Sequence, residues 1–111
     1  MCFFSFMSLK DAQKDVNEWT SQFTPQYWKP HEILARLMEE VGELSREINH
    51  SFGPKKKKDN ESDSSVGEEL SDIIFTLICM ANSNKINLQH EWEKMMKEKQ
   101  YGRDKNRFKK K

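Results

Sequence analysis

Long apolar runs are missing from this chain of 111 residues: no stretch approaches the roughly 18 consecutive apolar residues of a membrane-spanning helix, so no membrane partner is expected. Cysteine is scarce. Cys2 and Cys79 are too few for a disulfide framework, and reduced, cytoplasmic conditions are the simplest reading. Cys79 sits in an apolar helical pattern and reads as a buried thiol. The three histidines, His31, His50 and His90, are scattered, and without a Cys/His cluster a zinc site is not in prospect. A surplus of one charge is also lacking. With 19 Lys/Arg, 18 Asp/Glu and a net charge of +1, bulk electrostatics selects no partner. The leading residues 1–7 are apolar but have no basic start and are too short for a signal peptide.

What is present points to helices. One domain is the expectation at this length, with a modest core. Apolar content of 35% against 33% charged is polar for a self-sufficient globule. An all-α chain resembling a four-helix bundle is therefore expected, with charged outer faces and assembly with partner subunits. Its domain spans residues 8–108, with a flexible extension at 1–7 and a basic end at 109–111.

Residues 8–23 form the first predicted helix, with Leu9, Ala12, Val16, Trp19 and Phe23 as an apolar seam. Ser8 with Asp11 is a plausible start, although Asp is a weaker partner than the Glu or Gln of a capping box. A connector at 24–30, broken by Pro25 and Pro30, carries Tyr27 and Trp28. Residues 32–50 form the second helix, with Pro30 suited to its first turn. At about 100° per residue, Ile33, Leu34, Leu37, Met38, Val41, Leu44 and Ile48 share one stripe, which Glu40 and Glu47 border. Glu39 and Glu43 lie further out. Gly42 costs about 1 kcal/mol of helix stability against Ala, which suggests close approach of a backbone or ligand. Residues 53–65, rich in Lys and Ser, read as a mobile linker.

The third helix, 66–84, is the informative one. Ser65 with Glu68 is a capping-box pattern. The helix is apolar almost all round, the mark of a buried element, yet Glu69 and Asp72 occupy its narrow polar window. Unpaired buried carboxylates are expensive, so they must be paired, protonated or bound to a cation. No Lys or Arg occurs between Lys58 and Lys85 to serve them from the same helix. A fourth helix is predicted at 88–100, followed by a basic tail at 101–111.

Glu40/Glu43 and Glu69/Asp72 are each spaced i, i+3, so each pair projects from one side of its helix. Two such helices packed antiparallel would place four carboxylates around one cavity. Oxygen-only ligation suits Mg²⁺, with Mn²⁺ as second choice, and points to phosphoryl chemistry. Glu39-Glu40-x-x-Glu43, a variable linker and Glu69-x-x-Asp72, set in Ala35–Leu44 and Glu68–Phe75, resemble the MazG-like nucleoside triphosphate pyrophosphohydrolases of the all-α dUTPase/MazG superfamily. The resemblance extends over residues 9–107 and is to the small, single-domain bacterial type.

That resemblance implies hydrolysis of an NTP or dNTP at the α-phosphate to monophosphate and pyrophosphate, as nucleotide-pool house-cleaning. It implies that Glu40, Glu43, Glu69 and Asp72 ligate Mg²⁺, that Glu39 orients or deprotonates the attacking water, and that Asn82 and Lys85 contact the nucleotide. Arg103, in the basic segment 97–107, is a candidate phosphate contact, from this or a neighbouring subunit, and Trp28, ahead of Tyr27, is a candidate base-stacking residue, the alternative being a loop aromatic that closes the core. A homodimer or dimer of dimers is implied as well. The alternative is an inactive helical module that binds nucleotide or RNA, for which Tyr101 and Phe108 among Lys/Arg are the only support. Nucleic acid is the less favoured partner.

Overall fold

The computed structural model describes residues 7–54, 56–58 and 65–111. Four α-helices follow one another: α1 (Leu9–Thr20), α2 (Pro30–Phe52), α3 (Val66–Ser83) and α4 (Leu88–Lys94). The last runs on as a π-helical segment, Met95–Arg103. There is no strand among the described residues, in keeping with the all-α expectation. Residues 1–6 of the expected extension, and Lys55 and residues 59–64 of the expected linker, lie outside the described residues.

Local chemistry sets the helix ends. At α1 the Ser8 and Asp11 side chains cap each other's backbone N–H groups, so Asp completes the box that Glu or Gln would ordinarily make. The helix stops at Thr20, short of the predicted residue 23. Thr20 Oγ1 turns back to the Val16 carbonyl at 2.9 Å, and Ser21 Oγ takes the Glu18 carbonyl at 2.6 Å, side-chain bonds that compete with continuation. Phe23 therefore leaves the seam assigned to it. Helix α2 starts two residues earlier than expected, at Pro30, whose fixed φ suits the first helical position. Glu32 Oε1 accepts from the Lys29 N–H at 2.9 Å. At α3 Ser65 Oγ accepts from the Glu68 N–H. The fourth helix keeps its predicted start, capped by Asn87 on the His90 N–H, but its second half winds as π-helix.

Helices α2 and α3 run antiparallel. The last turns of α2 (Glu47, His50, Ser51) meet the first turn of α3 (Val66, Gly67), whereas Ile33, Arg36 and Glu40 meet Asp72, Phe75, Thr76 and Cys79. Helix α1 packs on α3 and on α4. Gln13 and Asn82 tie these elements together. The Gln13 amide donates to Asn82 Oδ1 and the Ile86 carbonyl, each at 2.8 Å, and Gln13 Oε1 accepts from the Leu88 N–H.

The face of α2 that meets α3 is not the predicted one. Ile33, Glu40 and Glu47 are buried, whereas Leu34, Met38, Val41 and Ile48 are 41–56% exposed. The carboxylates expected to border the apolar stripe thus lie at the centre of the buried face. Helix α3, expected to be buried nearly all round, buries Glu69, Thr76, Ile78 and Ala81 and leaves Leu70, Ile74 and Leu77 exposed. Both patterns have one cause: α2 and α3 meet along their acidic edges, a quarter-turn from the centre of each apolar stripe. From that contact each stripe lies in the direction of increasing helical angle. Because the helices run antiparallel, this rotation brings both stripes to one side of the pair. Gly42 also departs from expectation. A Cβ there would meet nothing within 4 Å among the described residues, so no described backbone outside its own helix approaches it.

Candidate metal and nucleotide site

Glu40, Glu43 and Glu69 each bring a carboxylate oxygen within 4.8 Å of the others. The i, i+3 spacing of Glu40 and Glu43 carries both onto the side of α2 that faces α3, and Glu69 arrives from the first turns of α3. Glu40 and Glu69 are 2% and 4% exposed. Glu40 Oε2 and Glu69 Oε2 are buried with no hydrogen-bond partner. Groups in that position are costly to leave unsatisfied. Burial pushes the Glu40 carboxyl above its ordinary range. The Arg36 charge opposes that rise, and the charges of Glu43, Asp72 and Glu69 add to it.

The fourth expected carboxylate is placed differently. Asp72 is exposed and stands outside the three-carboxylate cluster. It lines the neighbouring cavity together with Glu40. The expectation that Glu69 and Asp72 share one buried window therefore holds for Glu69 alone, because the contact with α2 lies on the Glu69–Thr76 side of α3.

That cavity, of about 590 Å³, opens between the α1–α2 connector, α2 and α3. Its volume falls in the usual range of small-molecule sites. Arg36, Glu40 and Asp72 form its polar side, and Trp19, Phe23, Tyr27, Trp28 and Phe75 supply aromatic surface. Trp19 is the hub of this wall, with ring centroids 4.9 Å from Phe23 and 5.8 Å from Phe75 in tilted and edge-on geometry. Trp28, predicted from its place in the connector, lines the cavity and is 56% exposed. Tyr27 is held by its hydroxyl, which donates to Asn17 Oδ1 at 2.9 Å and accepts from Asn82 Nδ2 at 3.0 Å.

Sequence reasoning missed Trp19, Phe23 and Phe75, having assigned them to helical apolar patterns. For Trp19 and Phe23 the available signal was the concentration of large aromatic rings around one proline-broken connector; Phe75, in α3, carried no such signal. Cys79, expected to be buried, is half-buried on the cavity wall, and burial raises its thiol pKa.

The other predicted residues are not gathered here. Glu39 is largely exposed, its Oε2 3.9 Å from an Arg36 nitrogen. The Asn82 amide is engaged by Gln13 and Tyr27. Lys85 has a left-handed backbone, φ 56°, in the α3–α4 turn, and Arg103 is paired with Asp104. None of these four lines the cavity. Glu47, to which no role was assigned, is buried and pairs with Lys57 at 2.9 Å, so a linker lysine expected to be merely solvated docks on α2.

Residues 28–108 match the family model of the MazG nucleotide pyrophosphohydrolase domain. The uncharacterised protein YpjD of Bacillus subtilis (strain 168) is 44% identical over 101 residues, covering 91% of this chain and 90% of YpjD. A crystal structure of B. subtilis YpjD, described as a candidate pyrophosphatase, superposes with a TM-score of 0.75 at 42% identity, covering 86% of this chain and 98% of that one. The crystal structure of a Bacillus-conserved MazG protein, a nucleotide pyrophosphohydrolase, gives 0.72 at 39% identity, covering 85% and 90%.

Proposed function

Because this chain belongs to the MazG nucleotide pyrophosphohydrolase family, and is thereby a hydrolase acting on acid anhydrides, we propose that it cleaves a nucleoside triphosphate, NTP or dNTP, between the α- and β-phosphates. Water oxygen bonds to the α-phosphorus, the bridging P–O bond breaks, and monophosphate and pyrophosphate leave. The observation that carries this reading is the convergence of Glu40, Glu43 and Glu69, two of them with an unsatisfied buried oxygen, beside an aromatic-lined cavity of nucleotide size.

A donor set made only of carboxylate oxygens fits a hard divalent cation, with Mg²⁺ first and Mn²⁺ second. Glu40, Glu43 and Glu69 would hold it, with Asp72 contributing from the cavity side. The bound cation supplies charge neutralisation for the phosphates and a lowered pKa for bound water. The remaining work belongs to the chain. Trp28 stacks on the base, backed by the Trp19–Phe75 wall, and Tyr27 is braced beside it by Asn17 and Asn82. On this reading Asn82 serves the nucleotide through Tyr27. Glu39 is the base or orienting group for water; its Oε2 lies 3.9 Å from a nitrogen of Arg36, the residue that lines the cavity. Contacts from Lys85 and Arg103 to the nucleotide are assigned to a second copy of the chain.

That second copy covers the apolar side of the α2–α3 pair, in a homodimer or dimer of dimers. Leu34, Met38, Val41, Leu70, Ile74 and Leu77 are too many exposed apolar side chains on one side for a lone monomer. No helix among the described residues is long and apolar enough to cross a membrane, and we assign the protein to nucleotide-pool house-cleaning in the cytoplasm.

The test is a panel of NTPs and dNTPs with Mg²⁺ and pyrophosphate detection, on wild type and Glu69→Gln. At least one nucleotide is expected to release pyrophosphate, at a rate that Glu69→Gln lowers at least a hundredfold. Absence of pyrophosphate from every nucleotide would end this reading.

A further inference from the structure

We propose that Arg36 is the resident counter-cation of the carboxylate cluster, and that it transfers from Glu40 to the phosphate chain of the substrate once a divalent cation takes Glu40. The inference rests on the metal centre proposed above and assigns to Arg36 a positioning and phosphate-binding role.

Arg36 lies one turn before Glu40 on α2. One guanidinium nitrogen pairs with Glu40 Oε1, and another is 3.9 Å from Glu39 Oε2. An ordinary i, i+4 pair on a helix surface is exposed at both ends and contributes little. This pair is asymmetric: the Glu40 side chain is 2% exposed and that of Arg36 47%. Arg36 also lines the aromatic cavity. One end of the bridge is thus anchored in the acidic interior, and the other stands where a ligand would bind.

The charge balance around Glu40 is incomplete. Among the groups acting on it, Arg36 is positive, whereas Glu43, Asp72 and Glu69 are negative. The guanidinium reaches one oxygen of Glu40 and leaves Glu40 Oε2 and Glu69 Oε2 unsatisfied. A single positive charge at the rim therefore compensates only part of a cluster that can take two. When a divalent cation sits among these carboxylates, the attraction holding Arg36 to Glu40 falls and like-charge repulsion appears. The guanidinium is then free in the same cavity. Its planar fork suits the paired oxygens of a phosphate chain. Cation and phosphate would bind in a favoured order, cation first.

The proposal makes two affinities move in opposite directions, which a purely structural ion pair would not do. Mn²⁺ titration of the full chain by electron paramagnetic resonance, without nucleotide, reads the first. Titration of Mn²⁺-saturated protein with the Mn²⁺–tripolyphosphate complex, by calorimetry, reads the second. Arg36→Gln is expected to bind Mn²⁺ roughly threefold to tenfold more tightly than wild type, the scale of one partly exposed ion pair. The same variant is expected to bind the tripolyphosphate complex roughly tenfold more weakly.

Should Arg36→Gln fail to fold, R36K carries the test: it keeps the charge and loses the fork, so Mn²⁺ affinity stays near wild type and tripolyphosphate affinity drops. Glu69→Gln identifies the counted Mn²⁺ site as the cluster. If wild type binds no Mn²⁺, or Glu69→Gln binds it equally well, the metal-centre reading falls and takes this inference with it. If wild type binds Mn²⁺ through Glu69 but Arg36→Gln binds it no more tightly, the counter-cation role alone is overturned. Unchanged tripolyphosphate affinity in Arg36→Gln, or in R36K if that variant is used, overturns the transfer.

Discussion

Glu40 concentrates the chemistry of the site in one carboxyl group. It is buried beside Glu43 and Glu69, with Arg36 at one oxygen and nothing at the other. Its folded-state pKa is raised, first by burial. Between the ordinary carboxylate range and that raised value, the folded chain holds a proton that the unfolded chain has released. Stability from this group is therefore greatest at low pH, falls as pH rises through that window, and is level above it. In EDTA, Glu40→Gln is expected to flatten this part of the melting-temperature profile and to melt higher than wild type at neutral pH. Mg²⁺ should reverse the order: wild type gains about 2.7 kcal/mol at a hundredfold excess over Kd, and Glu40→Gln gains little. Identical profiles for the two proteins would remove Glu40 from the site.

The helices show how local chemistry and packing divide the work. Capping at Ser8–Asp11 is a matter of neighbours in sequence, and Ser8→Ala is expected to cost about 1 kcal/mol of stability, read by urea unfolding. Gly42 is the opposite case. Its helix-weakening effect is legible in the sequence, but its reason is not, because the space around it is open among the described residues. Gly42→Ala should therefore stabilise the protein by about 1 kcal/mol and raise its melting temperature by several degrees. A fall instead would mean that a second copy packs closely at Gly42. Helix α1 adds a third lesson. Its seam of Leu9, Ala12, Val16 and Trp19 has the right period, yet Trp19 turns to the cavity and Phe23 leaves the helix, because Thr20 and Ser21 bond back to the last turn.

For the whole molecule, the shortage is of core. Val16, Ile33, Ile78 and Ala81 are the buried apolar residues among those described. Leu34, Met38, Val41, Ile48, Leu70, Ile74 and Leu77 remain partly exposed. Fully burying a side chain of this kind is worth about 1.5–3 kcal/mol; these are already about half covered, so closing this side over would add several kcal/mol in all. Wild type is expected to be oligomeric by light scattering, with a melting temperature that rises with protein concentration. Ile74→Glu is expected to give a monomer that melts at lower temperature. A monomeric wild type with a concentration-independent transition would remove the assembly proposed for this face.

Spacing along the chain was enough to specify four helices, the capped starts at Ser8 and Ser65 and the pairing of Glu40 with Glu43, because helix periodicity and capping are settled within a few residues. Glu69 as a costly buried carboxylate was legible for the same reason, in a helix with no basic residue of its own. Periodicity cannot tell which part of a broad apolar stripe meets the neighbouring helix and which part is left for another surface. That choice depends on the contact between α2 and α3, which buries Glu40, Glu47 and Glu69, sets Asp72 on the cavity side and turns the centres of both apolar stripes outward. The aromatic wall is tertiary in the same sense. Trp19, Trp28 and Phe75 come from three separate stretches, and only the approach of α1, the connector and α3 makes them one surface beside the carboxylates.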